Sequence, residues 1–329
     1  MRIVLVFLAA CALQLTVARS EAAPRVIEST TLNGVTYYRA RAWAAANNLE
    51  PAWVVRDKTL QLANAAAKIQ LTVNSERLEF NGLTLALSHP VASEGGAVYF
   101  SKLDAETVLA PLLAPPKISA GKKIRTICLD PGHGGKDPGF MVGSKPEKKY
   151  TLLLAQEVRD LLVKQGFKVV LTRKRDTFVE LSDRAAVANK AGADLFVALH
   201  FNAFIQDKSV NGAETYCLTP AGASSSNAGG VGAGTRGYRG NANNRENINL
   251  AYQLQKSLVR SAASDVRGVK RARFEVLREV AMPAALIETG FMSNTAEGKK
   301  IFDAKSRKTF ARAIADGIVA YKKSVERGN

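Results

Sequence analysis

Cysteine, histidine and tryptophan are scarce in this chain: three, three and two among 329 residues. One cysteine, Cys11, falls in an N-terminal leader. The remaining two, Cys128 and Cys217, cannot form a disulfide framework, and both fall in expected strands, where they read as small buried side chains. Also missing is any apolar run near the ~20 residues that a membrane-spanning helix needs. The longest run, Ile3 to Val17, follows Arg2 and closes on the small and polar "ARSEAA". Residues 1–23 therefore read as a secretory signal peptide, and the chain is expected to be exported, to the periplasm or outside the cell, with no transmembrane span. "LAAC" around Cys11 has the form of a lipoprotein box, but Ala12, Leu13, Leu15 and Val17 continue the apolar run where a polar tether should start. Lipid anchoring is the lesser reading.

Acidic side chains are in deficit too. Twenty-nine Asp and Glu face 46 Lys and Arg, a net charge of +17, and loss of the leader removes only one unit. Such a surface implies an anionic partner. Export argues against nucleic acid and for a polyanionic envelope, although scattered lysines with no long basic run also serve plain solubility.

Hydrophobic residues make up 47% of the chain, enough to fill real cores, and the length suits two domains. From residue 26 to 114 short alternating segments ("KTLQLA", "KIQLTV", "ERLEFNGLTLAL") separated by turn signals, then a helical "SKLDAETVLAPLLA", predict a small α+β module. "PPKISAGKK", 115–123, has no apolar period and suits a linker. From 124 to 326 continuous apolar strands ("RTICLD", "FKVVLTR", "DLFVALH", "AETYCL", "AALIETG") alternate with amphipathic helices. That pattern predicts an α/β domain with a mostly parallel sheet flanked by helices. Between Pro220 and Arg245 glycine, serine and asparagine dominate, so the segment is expected to be a long loop, either functional or without packed structure.

Three apolar strands end in a reactive side chain: "RTICLDPGH" in His133, "DLFVALH" in His200 and "AALIE" in Glu288. Chemistry in open α/β sheets collects at the carboxyl ends of strands. Each residue alone has a structural explanation, but two histidines at one sheet edge suit a catalytic zinc, which takes three protein ligands and keeps a position open. Spacing leaves the third ligand open among Asp130, Asp137, Glu147 and Glu180. A carboxylate in the first turn of a helix, as Glu147 would be, is favoured with or without a metal. The glycines of "GHGGKDPG" do not make a phosphate-binding loop, which needs a Gly-Lys-Ser/Thr ending that opens a helix.

"LDPGHGGKDPG", "PEKKYTLLLA", "LFVALHFNA" and "ALIETGFMSN", in this order, resemble the zinc-dependent N-acetylmuramoyl-L-alanine amidases of the amidase 3 family over about Ile124 to Lys323. The resemblance implies Zn2+ on His133, Glu147 and His200, and a catalytic Glu288. It also implies hydrolysis of the amide between N-acetylmuramic acid and L-alanine of peptidoglycan, so the partners are a glycan strand and its stem peptide. "TRKRDTFVELSDRAAVAN" matches the family's R-x-x-D element and the helix bearing Arg184. Two features depart from the pattern. The segment 220–245 stands where some relatives carry a helical regulatory insertion, so helix-blocked control by an activator is not expected, and any activator protein stays unnamed. Phe201, where a small residue is common, is expected to narrow the site. Lys136, Arg236 and Arg239 are candidates for holding stem-peptide carboxylates.

The first module, with Trp53, Asp57, the Asn81-Gly82 turn and "GGAVYFSKLDAETVLAPLL", resembles the copper amine oxidase N-terminal-like stalk domain. This implies a spacer or wall-contacting role without copper, since the module holds the single histidine His89. Two rival functions are a non-catalytic peptidoglycan-binding protein and a zinc amidase acting on another exported amide.

Overall fold

The computed structural model describes residues 27–226, 234, 236–262 and 266–326. The leader, with Cys11, lies outside them. In chain order the first region comprises β1 (Ser29–Leu32), β2 (Val35–Arg39), α1 (Ala40–Ala46), β3 (Glu50–Val55), β4 (Thr59–Ala63), β5 (Lys68–Thr72), β6 (Arg77–Phe80), β7 (Leu83–Ala86), β8 (Ala92–Glu94) and β9 (Ala97–Ser101). The short helices α2 (Lys102–Asp104) and α3 (Ala110–Leu113), joined through a π-helical turn, close it. Two-residue turns at Asn33-Gly34 and Asn81-Gly82, each with φ near +50° and then near +80°, set the β1–β2 and β6–β7 hairpins.

The second region comprises β10 (Thr126–Pro131), the hairpin β11 (Met141–Val142) and β12 (Lys145–Pro146), α4 (Glu147–Lys164), β13 (Lys168–Leu171) and α5 (Leu181–Lys190). There follow β14 (Leu195–Asn202), β15 (Ala213–Leu218), α6 (Asn244–Ala262), β16 (Val266–Ala272), α7 (Glu275–Arg278), β17 (Ala284–Phe291), α8 (Thr295–Phe302) and α9 (Ala304–Val325). Its strands run β13-β10-β14-β17-β15-β16, parallel except where β15 meets β17 antiparallel. Strands buried on both faces explain the unbroken apolar runs, as in β10 and β14. Helices α4, α6 and α9 cover one face in the main core, and α5 and α7 cover the other around Phe196, Ala198, Leu218 and Leu277. Cys128 and Cys217 are buried and unpaired, as expected from their strands.

The sheet does not stop at the end of this region. β16 pairs parallel with β7 at Val269 and Leu85, so β7-β6-β5-β4-β3 extend it to eleven mixed strands. The close approach demands glycine at one point: Gly268 has φ +84°, and a Cβ there would sit 2.2 Å from the Thr84 carbonyl oxygen. Across the same seam Arg271 is buried and pairs with Asp104 at 3.1 Å, and also donates to Ser88 Oγ and Thr107 Oγ1. Phe80 meets Tyr252 of α6 edge to face at 5.5 Å, a contact worth ~0.5–1.5 kcal/mol beyond its area. The first module is thus joined to the second region through a shared sheet and a buried ion pair. Residues 115–123 meet the C-terminal end of α9, where Ile118 N–H donates to the Val325 carbonyl and Lys117 to the Ser324 carbonyl.

The loop expected from 220 onward is tied down where it is described. Ser226 exchanges backbone and side-chain bonds with Arg271, and Arg273 donates to the carbonyls of Pro220, Ala223 and Gly234. Arg239–Asn243 forms a 3-10 turn leading into α6.

Candidate active site

β10, β14 and β17 lie side by side, and their carboxyl ends open on one cleft of about 320 Å³. His133, Glu147, His200 and Glu288 all line it. His133 follows the end of β10 in the left-handed region, φ +61°, a backbone state that costs a non-glycine residue of order 1–3 kcal/mol unless its surroundings hold it. Two buried arginines do so. Arg184 Nη2 donates to the His133 carbonyl at 2.9 Å while Nη1 donates to the Pro131 carbonyl at 3.0 Å and to Asp130 at 2.8 Å. Arg173 donates to the carbonyls of Pro131, Gly132 and Lys148. Burial, and then the nearby Arg184 guanidinium, push the Arg173 pKa down to about 10. Asp176 completes the clamp by accepting from Gly135 N–H and pairing with Lys148.

Glu147 opens α4 and is 5% exposed. Its Oε1 lies 3.2 Å from His133 Nε2 and 3.1 Å from His200 Nδ1, and accepts from Phe201 N–H at 3.1 Å. Its Oε2 accepts from Phe140 N–H. Burial alone would raise the Glu147 pKa, but hydrogen bonds and charge from the two histidines hold it below the usual carboxylate range. Burial works to lower the pKa of His133, and the carboxylates of Glu147 and Asp137 outweigh it and raise it. Asp137 Oδ2 sits 2.7 Å from His133 Nδ1 and so fixes which nitrogen faces the cleft.

One donor atom from each of His133, Glu147 and His200 lies within 4.8 Å of the others. Two imidazoles and a carboxylate form the donor set of hydrolytic zinc sites with an open position. The packing is built for these rings: a Cβ on Gly132 would fall 2.2 Å from His200 Cε1, and one on Gly139 would fall 2.7 Å from both Glu147 Oε2 and His133 Cδ2. The residues therefore fit the metal that the sequence implies.

Glu288 stands opposite His200 on β14 and opposite Glu214 on β15. Like charges paired across strands repel, and the two carboxylates resolve this differently. Glu214 receives Tyr216 Oη at 2.5 Å, Lys270 at 2.9 Å and Arg267. Among the described residues Glu288 receives no such partner, and its shielded Oε2 makes no hydrogen bond. Burial first, and then the Glu147 and Glu214 charges, push its pKa well above the ordinary value.

Of the other ligand candidates, Asp130 is fully buried against Arg184 and Thr172, Asp137 stands behind His133, and Glu180 holds the N-cap position of α5 without a side-chain capping bond. None of Lys136, Arg236 and Arg239 lines the cleft; Lys136 lies over the Phe178 ring and Arg236 over Tyr238. Phe201 borders the cleft, but its ring is 2% exposed in the main core, so it does little to narrow the opening. His89 lies beside Tyr37 in the first module. Sequence reasoning missed Glu214 as part of the site and weighed Asp130 only as a ligand; the R-x-x-D element in "TRKRD" carries Arg173 and Asp176, whose role in holding the backbone around His133 needed the structure.

The model of the N-acetylmuramoyl-L-alanine amidase family matches residues 127–320. The chain is 33% identical over 237 residues to the amidase AmiA of Escherichia coli, covering 62% of this chain and 78% of AmiA. It is 29% identical over 311 residues to the amidase LytC of Bacillus subtilis, covering 92% of this chain but 54% of LytC, so it spans about half the length of that relative. Among solved structures, the amidase of Clostridium difficile 630 superposes with a TM-score of 0.51 at 32% identity, over 61% of this chain and 97% of that one. The amidase AmiC2 of Nostoc punctiforme gives 0.52 at 30% identity, over 62% and 99%.

Proposed function

The chain belongs to the N-acetylmuramoyl-L-alanine amidase family, and from that premise we propose that it is an exported zinc-dependent hydrolase. Its substrate is the amide between N-acetylmuramic acid and the L-alanine of peptidoglycan stem peptides. The observation that carries this reading is the cleft at the strand ends, which three converging donors share with Glu288, whose shielded Oε2 has no hydrogen bond among the described residues.

His133, Glu147 and His200 would hold the metal. Zinc bound there would supply a Lewis acid for the carbonyl oxygen and lower a water's pKa from ~15.7 to roughly 7. The chain's own residues supply the rest. Asp137 keeps the His133 ring in one tautomer, and Gly132 leaves room for His200. Glu288, as the carboxylate, takes a proton from the attacking water at its Oε2 and gives it to the departing alanine amine. A group that both takes and gives a proton works best with a pKa near the operating pH, which is the direction in which burial and its neighbours move Glu288.

The apolar stretch Ile3 to Val17 supports export, and among the described residues no helix is long and apolar enough to cross a membrane. The module of residues 26–114, read as a stalk-type unit, serves on this proposal as a wall-contacting surface held rigidly to the enzyme.

The test is Glu288→Gln. New alanine amine termini are measured on purified wall sacculi, and zinc content by metal analysis. Turnover should fall by about 10²–10⁴-fold with zinc content unchanged. Wild-type-like release by the variant would remove Glu288 from the mechanism, and wild-type release that survives chelation would remove the metal.

A further inference from the structure

The seam between the module and the amidase region carries a second polar cavity, of about 90 Å³. That exceeds the ~10–15 Å³ needed by one water. Three cations border it, Arg77 of β6 and Arg267 and Lys270 of β16, together with the hydroxyls of Ser224 and Ser225 and one acid, Glu76. Arg267 and Lys270 share a single carboxylate, Glu214, which leaves one positive charge between them uncompensated. Their side chains remain 34% and 20% exposed. The Arg77 guanidinium has no ion pair among the described residues; only its backbone is engaged, with Ser75.

The cavity faces the same way as the active-site cleft. On β7 the half-buried Thr84 and Ala86 alternate with core-facing Leu83 and Leu85. On β16 Lys270 alternates with Val269 and Arg271, which point into the main core and the seam. A bulge helps: Ala213 pairs with Val266 but Glu214 with Gly268, so Arg267 is the extra residue, and bulges re-aim side chains. The link to the cleft is continuous. Phe274 lines the cleft and meets Tyr216 edge to face at 5.1 Å, and Lys270 lies 5.8 Å over the Tyr216 ring.

We propose that this seam cavity is a carboxylate-binding subsite that holds the far end of an acidic stem peptide whose near end lies at Glu288. The inference rests on the amidase reading and adds its specificity. From β17 to β16 is two strand spacings and to β7 three, roughly 10–15 Å at ~4.8 Å each. An extended peptide covers that in about three to four residues at ~3.3–3.6 Å each. Charge decides which side of the substrate goes there. Forming the scissile amide consumes the lactyl carboxyl of muramic acid, so an N-acetylated glycan strand is neutral and the peptide carries the negative charge. Arginine and lysine then recognise its carboxylates by charge-assisted hydrogen bonds.

The experiment measures binding by calorimetry to the Glu288→Gln protein, so that no turnover is needed. The probes are a muramoyl-tetrapeptide with free carboxylates and the same compound with its carboxylates amidated. The free form should bind roughly tenfold more tightly, and adding Arg77→Ala, a change at an exposed strand position, should remove most of that preference while leaving the amidated form within about twofold. Affinity indifferent to amidation, or an equal loss for both probes in the Arg77 variant, overturns the subsite. Release of alanine amine termini from the free probe by the wild-type enzyme reads the parent assignment separately. Selective binding without release keeps the subsite and removes the amidase reading; release with unselective binding does the reverse.

Discussion

Two buried Arg–Asp pairs hold this molecule together, and they are hard to tell apart by burial or charge. Arg184 with Asp130 and Arg271 with Asp104 are each 2% and 0% exposed, with closest distances of 2.8 and 3.1 Å. The difference lies in the remaining donors. Arg184 directs them at the carbonyls of Pro131, His133 and Val179, the backbone that carries a ligand candidate into the cleft. Arg271 directs them at Ser88 and Thr107 of the first module. A buried ion pair therefore says little about function until its secondary partners are followed, since a guanidinium with five donors always binds more than its carboxylate.

The comparison breaks most sharply at Arg184. Arg184→Ala should cost about 3–5 kcal/mol in urea unfolding, by leaving Asp130 buried and unpaired. It should also cut amidase activity per folded molecule by about 100-fold, because a ligand misplaced by ~1 Å is enough for that. Near-normal activity would mean that the loop holds His133 without its clamp. Arg271→Ala should lose a similar ~3–5 kcal/mol. Its activity per folded molecule on muramoyl-L-alanine, which is too short to reach the seam, should stay within about twofold, as for distant independent sites. A parallel loss of turnover would make the two pairs equivalent. The smallest effect sharpens the contrast: Asp104→Leu combined with Arg271→Met should return unfolding stability to within about 1 kcal/mol of wild type, because apolar pairs often replace buried ions at no cost. Failure to recover would assign the seam a requirement for polarity.

The sequence made the strand ends legible because His200 and Glu288 close unbroken apolar runs and His133 comes just past another. His133, His200 and Glu288 could thus be placed at one sheet edge before any contact was known, and the four side chains singled out do share one cleft. Glu147 was not separable from Asp130, Asp137 and Glu180 by spacing, since its position depends on a loop of backbone turns between β10 and α4. What stayed hidden is long-range. Gly268 looks like any turn glycine until Thr84 is beside it, and Glu214 is one more strand residue until β15 is set against Glu288. The basic residues chosen from the loop, Arg236 and Arg239, do not line the cleft, while Arg267 and Lys270, inside a strand, border the seam cavity instead. Local pattern reports which face a residue occupies, and only tertiary pairing reports its neighbours.

The joined sheet also sets an order of events during synthesis. β7 precedes its partner β16 by roughly 180 residues, judging from the pairing of Leu85 with Val269, so the first module is complete long before its last edge is covered. Until then β7 presents a row of unpaired backbone groups, the kind of edge that recruits strands from other chains. The module is thus the part that folds early and waits, and the cell must keep that edge single until the final third of the polypeptide arrives to close it.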